Sequence, residues 1–253
     1  MRDYLSVSQI NTFLLCPRKY RFRYIDQEQP EHRSIALALG SAVHSTLAWW
    51  QTEAMTADGP SEQEAVSIFQ ADWAAEMATG DVDLEGRDPV QVEELGMSLV
   101  EVAVPHLREL EVVSVDQRVD VPLVDPRTGE ELPVPLMGFL DFTTVGGLGE
   151  IKTSGRKSKP RSWVLQLSAY SYALEQLTGC RPDVTVVQLV KTKVPKVVVE
   201  TVEITRGDQA WFLEVASEVF SAVRKEAFPP NPSWACGRCE YRQVCRAAEA
   251  MAA

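Results

Sequence analysis

The chain has 253 residues, 45% of them hydrophobic and 24% charged, with five cysteines and a formal net charge of −11. That length and balance suit one large domain, or one domain with a helical insertion, and exclude a disordered or fibrous chain. No apolar run is long enough to span a bilayer, and the first residues lack the apolar stretch of a secretory signal, so a cytoplasmic protein with no membrane contact is expected.

In chain order, residues 6–25 read as two short helices broken at Pro17, because proline fits a first turn and not a helix interior. Residues 34–56 form an Ala-rich apolar helix, punctuated by Gly59-Pro60-Ser61. Residues 61–79 and 88–111 read as two further helices with acidic outer faces. From Glu111 to Val121 the pattern alternates with period two, which predicts a strand. A turn at Asp125 to Gly129 leads to a second strand over Val134–Phe142, a hairpin at Gly146-Gly147, and a third strand over Leu148–Thr153. Residues 161–179 are helical and end at Gly179. Two strands, Val184–Val190 and Lys196–Ile204, precede a helix over 208–227. A Pro-rich link then reaches the cysteine-bearing segment, 229–247. The order predicts an α/β core with a mixed sheet and a helical N-terminal part.

The negative charge is concentrated. Segment 54–115 holds fourteen acidic residues against Arg87 and Arg108, so it carries −12 and leaves the remainder at +1. Basic groups gather elsewhere: Arg18, Lys19, Arg21 and Arg23; Lys152, Arg156, Lys157, Lys159 and Arg161; Lys191, Lys193 and Lys196. Each is either a solvated face or a contact for phosphate.

Gly138-x-x-Asp141 on one strand and Glu150-x-Lys152 on the next are the centre of the chemical reading. Carboxylates on adjacent antiparallel strands can converge, and hard divalent cations such as Mg²⁺ take carboxylate oxygens. Lys152, two residues after Glu150, leaves the strand on the same face, where an ammonium can stabilise charge growing on a phosphate. The same residues could also form a cross-strand ion pair on a solvated hairpin. His44 lies in the apolar helix and is either a satisfied core residue or a ligand aimed inward. Gln166 and Tyr170 are four apart and share a helical face, which is also what an ordinary amphipathic helix would show. Cys236, Cys239 and Cys245 crowd into ten residues, a pattern that points to a metal or a cluster. Cys180 follows a helix-ending glycine and reads as a small packed residue.

Taken in order, Gly40-x-x-x-His44, Gly138-x-x-Asp141, Glu150-x-Lys152 and Gln166-x-x-x-Tyr170 resemble the RecB/AddB-like branch of the PD-(D/E)XK nucleases. The opening from Ser6 through Cys16-Pro17-Arg18-Lys19-Tyr20, and the ending Cys236-x2-Cys239-x5-Cys245, resemble the members of that branch with a four-iron, four-sulfur (4Fe–4S) cluster, among them the CRISPR adaptation nucleases. The resemblance runs from residue 5 to residue 246, and segment 54–115 is its least typical part.

The resemblance implies a restriction-endonuclease-like core in one nuclease domain over 1–253, with 54–115 as an acidic helical insertion and the cysteines as a staple. It implies that His44, Asp141, Glu150 and the Ile151 carbonyl bind Mg²⁺ or Mn²⁺, with Lys152 as the catalytic lysine beside Asp141 and Glu150. Gln166 and Tyr170 would hold DNA or order the site, and Arg156, Lys157, Lys159 and Arg161 would track its backbone. Cys16, Cys236, Cys239 and Cys245 would hold the 4Fe–4S cluster, with Zn²⁺ as the rival at four thiolates. One departure is Phe142, where relatives often carry a basic residue. The implied activity is metal-dependent hydrolysis of DNA, as an exonuclease on single strands, in DNA repair, recombination or CRISPR adaptation. The alternatives are a subunit active only beside a helicase or integrase partner, and an inactive DNA-binding relative.

Overall fold

The computed structural model describes residues 3–56, 59–159 and 163–245. In chain order the elements are α1 (Val7–Leu15), α2 (Pro17–Tyr20), a π-helical turn (Arg21–Ile25), β1 (Arg33–Ser34), α3 (Ile35–Ala54), α4 (Glu62–Ala78), β2 (Val82–Asp83) and α5 (Pro89–Arg108). There follow β3 (Val112–Val121), β4 (Leu136–Thr144), β5 (Gly147–Ser154), α6 (Val164–Thr178), β6 (Asp183–Val190), β7 (Lys196–Val202), α7 (Arg206–Arg224) and a 3₁₀ turn (Trp234–Arg238). Five strands form one sheet in the order β3-β4-β5-β6-β7, and β1 pairs with β2. β4 and β5 are antiparallel, β5 and β6 parallel, and β6 and β7 antiparallel, which makes the sheet mixed as expected. No helix among the described residues is long and apolar enough to cross a membrane.

Local chemistry explains where the boundaries fall. α1 starts where Ser6 Oγ accepts the Gln9 N–H, and it stops at Cys16, whose backbone is extended so that Pro17 can open α2. The π-helical turn after Tyr20 and the short β1–β2 pair carry no sequence signal. β4 begins at Leu136 rather than Val134, because Pro133 and Pro135 have no N–H to give a ladder. α7 begins earlier than expected, where Thr205 and Asp208 cap each other reciprocally. α6 ends on Gly179 at φ 75°, a left-handed cap that glycine adopts without strain.

The chain divides into two compact units. One comprises Arg33–Arg118 and Phe139–Ile204. Its core joins Ile35, Leu39, Val43, Leu47 and Trp50 of α3, spaced three or four apart, to Phe69 and Trp73 of α4, to Leu99, Val104 and Leu107 of α5, and to Phe142, Ile151, Val187 and Leu189 of the sheet. Fully burying side chains of this kind stabilises by about 1.5–3 kcal/mol each. The other unit comprises Met1–His32, Val119–Gly138 and Thr205–Ala253. It is centred on aromatic side chains. Tyr20 stacks on Phe228 at 6.1 Å, and Phe13 meets both edge-on.

Candidate active site

The β4–β5 hairpin pairs Thr144 with Gly147, Thr143 with Leu148 and Phe142 with Gly149. The next positions along, Asp141 and Glu150, therefore stand opposite each other on one face, with Lys152 two residues further on that face. Here the ladder changes partner. The Ile151 amide, which a continued ladder would aim at the Leu140 carbonyl, donates instead to Asp141 Oδ2 at 2.7 Å. That bond fixes the Asp141 carboxylate across the hairpin.

Phe142 and Gly149 form the seat beneath. Phe142 is fully buried, and a β-carbon on Gly149 would lie 1.9 Å from its Cζ. Only glycine leaves room for that ring, so Phe142 serves as core.

Glu150 is 1% exposed. Its Oε1 accepts from Lys152 Nζ at 2.6 Å and from Gln166 Nε2 at 2.7 Å, and Gln166 Oε1 accepts from Lys152 Nζ at 2.7 Å. Its Oε2 is buried with no hydrogen-bond partner. Burial first, and then the Asp141 charge, push the Glu150 carboxyl up to about 7, against the partial relief that Lys152 gives.

His44, on α3 one turn after Gly40, places Nδ1 3.7 Å from Asp141 Oδ1, with its side chain 34% exposed. That is no sealed core position. Burial pulls its pKa down, but the contact with Asp141 and the charges of Asp141 and Glu150 outweigh it and leave the pKa raised. Tyr170 is buried on α6, hydrogen-bonded to Gln166, and its hydroxyl is held protonated by burial and then by the charges of Glu150 and Asp141. Five residues singled out from the sequence besides Lys152 thus converge: His44, Asp141, Glu150, Gln166 and Tyr170.

A sixth was missed. Asp116 of β3, an exposed residue, has its pKa raised by partial desolvation and then by the Asp141 charge, with His44 opposing. The strand alternation treated it as one polar residue among several. The available signal was Gln117, a polar residue at a position where the alternation calls for an apolar one.

Of the basic stretch, Arg156, Lys157 and Lys159 are exposed after β5, and Lys157 Nζ pairs with Glu200 Oε1 of β7 at 2.9 Å. Arg161 lies outside the described residues. Cys180 is exposed, not packed, because the left-handed turn at Gly179 carries the chain off the helix face.

The remaining four cysteines come together. Cys16, Cys236, Cys239 and Cys245 line one cavity of about 40 Å³ with Leu15, Phe22, Lys19 and Arg242. Cys16 Sγ accepts the Asn231 N–H and Cys236 Sγ the Ser233 N–H, each at 3.4 Å, and burial raises the Cys239 thiol. Ion pairing and hydrogen bonding hold the same wall: Lys19 Nζ to Glu240 Oε2 at 2.7 Å, the Glu31 amide to the Glu240 carbonyl at 2.8 Å, and the Gln243 amide to Glu31 Oε1 at 2.6 Å.

Both clusters offer donors of the right kind. Around Asp141 they are hard oxygens and an imidazole, with an orphaned buried carboxylate oxygen at Glu150; around Cys16 they are four thiols with N–H groups aimed at two of them. Among the described residues, no three His, Cys, Asp or Glu side chains already stand close enough to hold one ion, so ligation requires side-chain rotation in either cluster. A larger cavity, of about 410 Å³, lies at the C-terminal end of α3 between Trp50 and Val112, and shares no residue with either cluster.

Opposed carboxylates on a hairpin, a lysine on their face and a mixed sheet behind them define a class of phosphodiester-cleaving nucleases. The profile of the PD-(D/E)XK nuclease superfamily matches residues 4–246, and the chain belongs to that superfamily. Among solved structures, a Eubacterium rectale protein described as a candidate exonuclease superposes with a TM-score of 0.61 at 13% identity, over 98% of this chain and 88% of its own. At that identity the likeness speaks for the fold alone. SSO0001 superposes with a TM-score of 0.43 at 14% identity, over 92% of this chain and 95% of its own. No curated protein sequence matches the chain.

Proposed function

We propose that this nuclease hydrolyses DNA phosphodiester bonds with Mg²⁺ or Mn²⁺ at Asp141, Glu150, His44 and the Ile151 carbonyl, acting as an exonuclease on single-stranded DNA. The observation that carries the reading is Glu150: a buried carboxylate with one oxygen held by Lys152 and Gln166 and the other left without a partner. An unsatisfied buried carboxylate oxygen is costly unless a cation completes it.

A divalent cation bound there supplies Lewis acidity at the scissile phosphate. Asp141 is held in place by the Ile151 amide, so its second oxygen is free to turn toward His44. Lys152 Nζ, braced between Glu150 and Gln166, brings positive charge to the face where water attacks and where negative charge builds on the phosphate. The new bond joins water oxygen to phosphorus, the bond from phosphorus to the 3′ oxygen breaks, and a 5′-phosphate and a 3′-hydroxyl result. Gln166 and Tyr170 keep the lysine in register.

The four cysteines are read as the ligands of a 4Fe–4S cluster, with Zn²⁺ as the alternative. The exposed Arg156 and Lys159 are read as backbone contacts, in a role in DNA repair, recombination or CRISPR adaptation beside a helicase or integrase partner.

The test is digestion of single-stranded oligonucleotides blocked at the 5′ or 3′ end, with Mn²⁺ and with EDTA. One blocked end should protect, EDTA should abolish cleavage, and Lys152→Ala should lower the rate by roughly a hundredfold or more. Cleavage that persists in EDTA, or in Lys152→Ala, would refute the site.

A further inference from the structure

Asp116 belongs to none of the motifs above, yet two features of β3 and β4 point it at the same centre, and a third, on β5, shows that centre short of a partner. The first is alignment. Ser114 Oγ lies 2.6 Å from Thr143 Oγ1, so these two residues sit side by side on neighbouring strands. Two residues on from Ser114 is Asp116, and two residues back from Thr143 is Asp141. The second is backbone shape. Asp116 has φ 48° inside a strand, and Ser114 Oγ reaches Gln117 Oε1 at 2.8 Å across the kink. A left-handed residue in a strand bends it and re-aims the side chain. A conformation of this kind is strained for most residues other than glycine, and aspartate and asparagine are among the few that adopt it. The third is the orphaned Glu150 Oε2, nine-tenths buried and more, beside Asp141 and in the field of His44.

We propose that Asp116 is a third carboxylate of the metal centre, sharing a divalent cation with Asp141. Two carboxylates with no cation between them repel, and a hard cation turns the repulsion into shared ligation. The exposed position of Asp116 places this ligand on the solvent side, where substrate would reach the ion. The inference rests on reading the Asp141–Glu150 cluster as the metal site.

The experiment is titration of the purified protein with Mn²⁺, without DNA, followed by calorimetry, together with melting in EDTA and in Mn²⁺. The variants are Asp116→Asn, Asp116→Gly and Asp141→Asn. Asparagine and glycine both accept a left-handed backbone, so the kink survives. If Asp116→Asn does not fold, Asp116→Gly reads the same quantity. Loss of the carboxylate should weaken Mn²⁺ binding by roughly 10–100-fold. It should also raise the melting temperature in EDTA, since like-charge repulsion is gone, and shrink the gain that Mn²⁺ gives. A residue that only shapes the turn would move none of these with charge. Wild-type Mn²⁺ affinity in the Asp116 variants, with binding lost in Asp141→Asn, would overturn this inference alone. Wild-type affinity in all three would overturn the metal centre itself.

Discussion

Glu150→Gln removes a charge from the most deeply buried carboxylate of the site and keeps its shape. In the metal-free protein that carboxyl titrates at about 7, where the ordinary value is 4.5, because burial and then Asp141 disfavour its ionised form. The folded state thus holds its proton more tightly than the unfolded chain does. The sign follows: the contribution of Glu150 to stability is fully present below about pH 4.5 and is lost as pH rises toward 7. The difference between the two values corresponds to about 3 kcal/mol. Glutamine has no proton to lose. In EDTA, Glu150→Gln should match the wild type near pH 4 and exceed it by about 3 kcal/mol at pH 8, or about 6–12 °C in Tm for a chain of this size. Thermal melting at intervals across that range reads the difference directly. A gap that is flat with pH, or one that favours the wild type at pH 8, would refute the electrostatic account. Mn²⁺ should raise the Tm of the wild type and leave that of the variant unchanged.

Gly149→Ala drives a methyl group into the Phe142 ring, and should cost about 1–3 kcal/mol or more in urea denaturation. Phe142→Leu in the same chain should recover part of that loss, and strict additivity would show that the ring is not the obstacle. Cys16→Ser should lower iron and sulfide content, or zinc content, together with Tm, while Mn²⁺-dependent cleavage per folded molecule falls far less than in Lys152→Ala. Unchanged metal content would remove Cys16 from the ligand set.

Much of this arrangement is legible in the sequence, because the residues that build it repeat a periodic rule. α3 was readable from apolar spacing, the hairpin from alternation around Gly146-Gly147, and the end of α6 from Gly179. That Asp141, Glu150 and Lys152 share one face was readable because strand alternation keeps that spacing, while a role for them came only from the resemblance. What escaped depends on contacts between elements. Whether His44 was core or site could be decided only by its distance to Asp141, 97 residues later. Asp116 escaped because a kink of one residue changes where a strand side chain points while hardly altering the pattern of letters. Cys180 was misjudged for a related reason: a left-handed cap sends the following residue outward. The seat made by Phe142 and Gly149 pairs one residue's bulk with another's absence, and no local pattern records that.

The unit that holds the cysteines is assembled from three stretches, Met1–His32, Val119–Gly138 and Thr205–Ala253, whereas every residue of the carboxylate site lies between residues 44 and 170. Synthesis is vectorial, and at about 5–20 residues per second the first stretch waits roughly ten to forty seconds for the last to be made. During that interval Phe13 and Tyr20 lack Phe228, and Lys19 lacks Glu240. The residues that would cut nucleic acid are all synthesised before the thiols that complete the cysteine cluster. The pairing of residues 228–240 with the opening helices is then made after every residue of the carboxylate site has been synthesised, and a nascent chain halted shortly before it carries that cluster with those helices still unmatched.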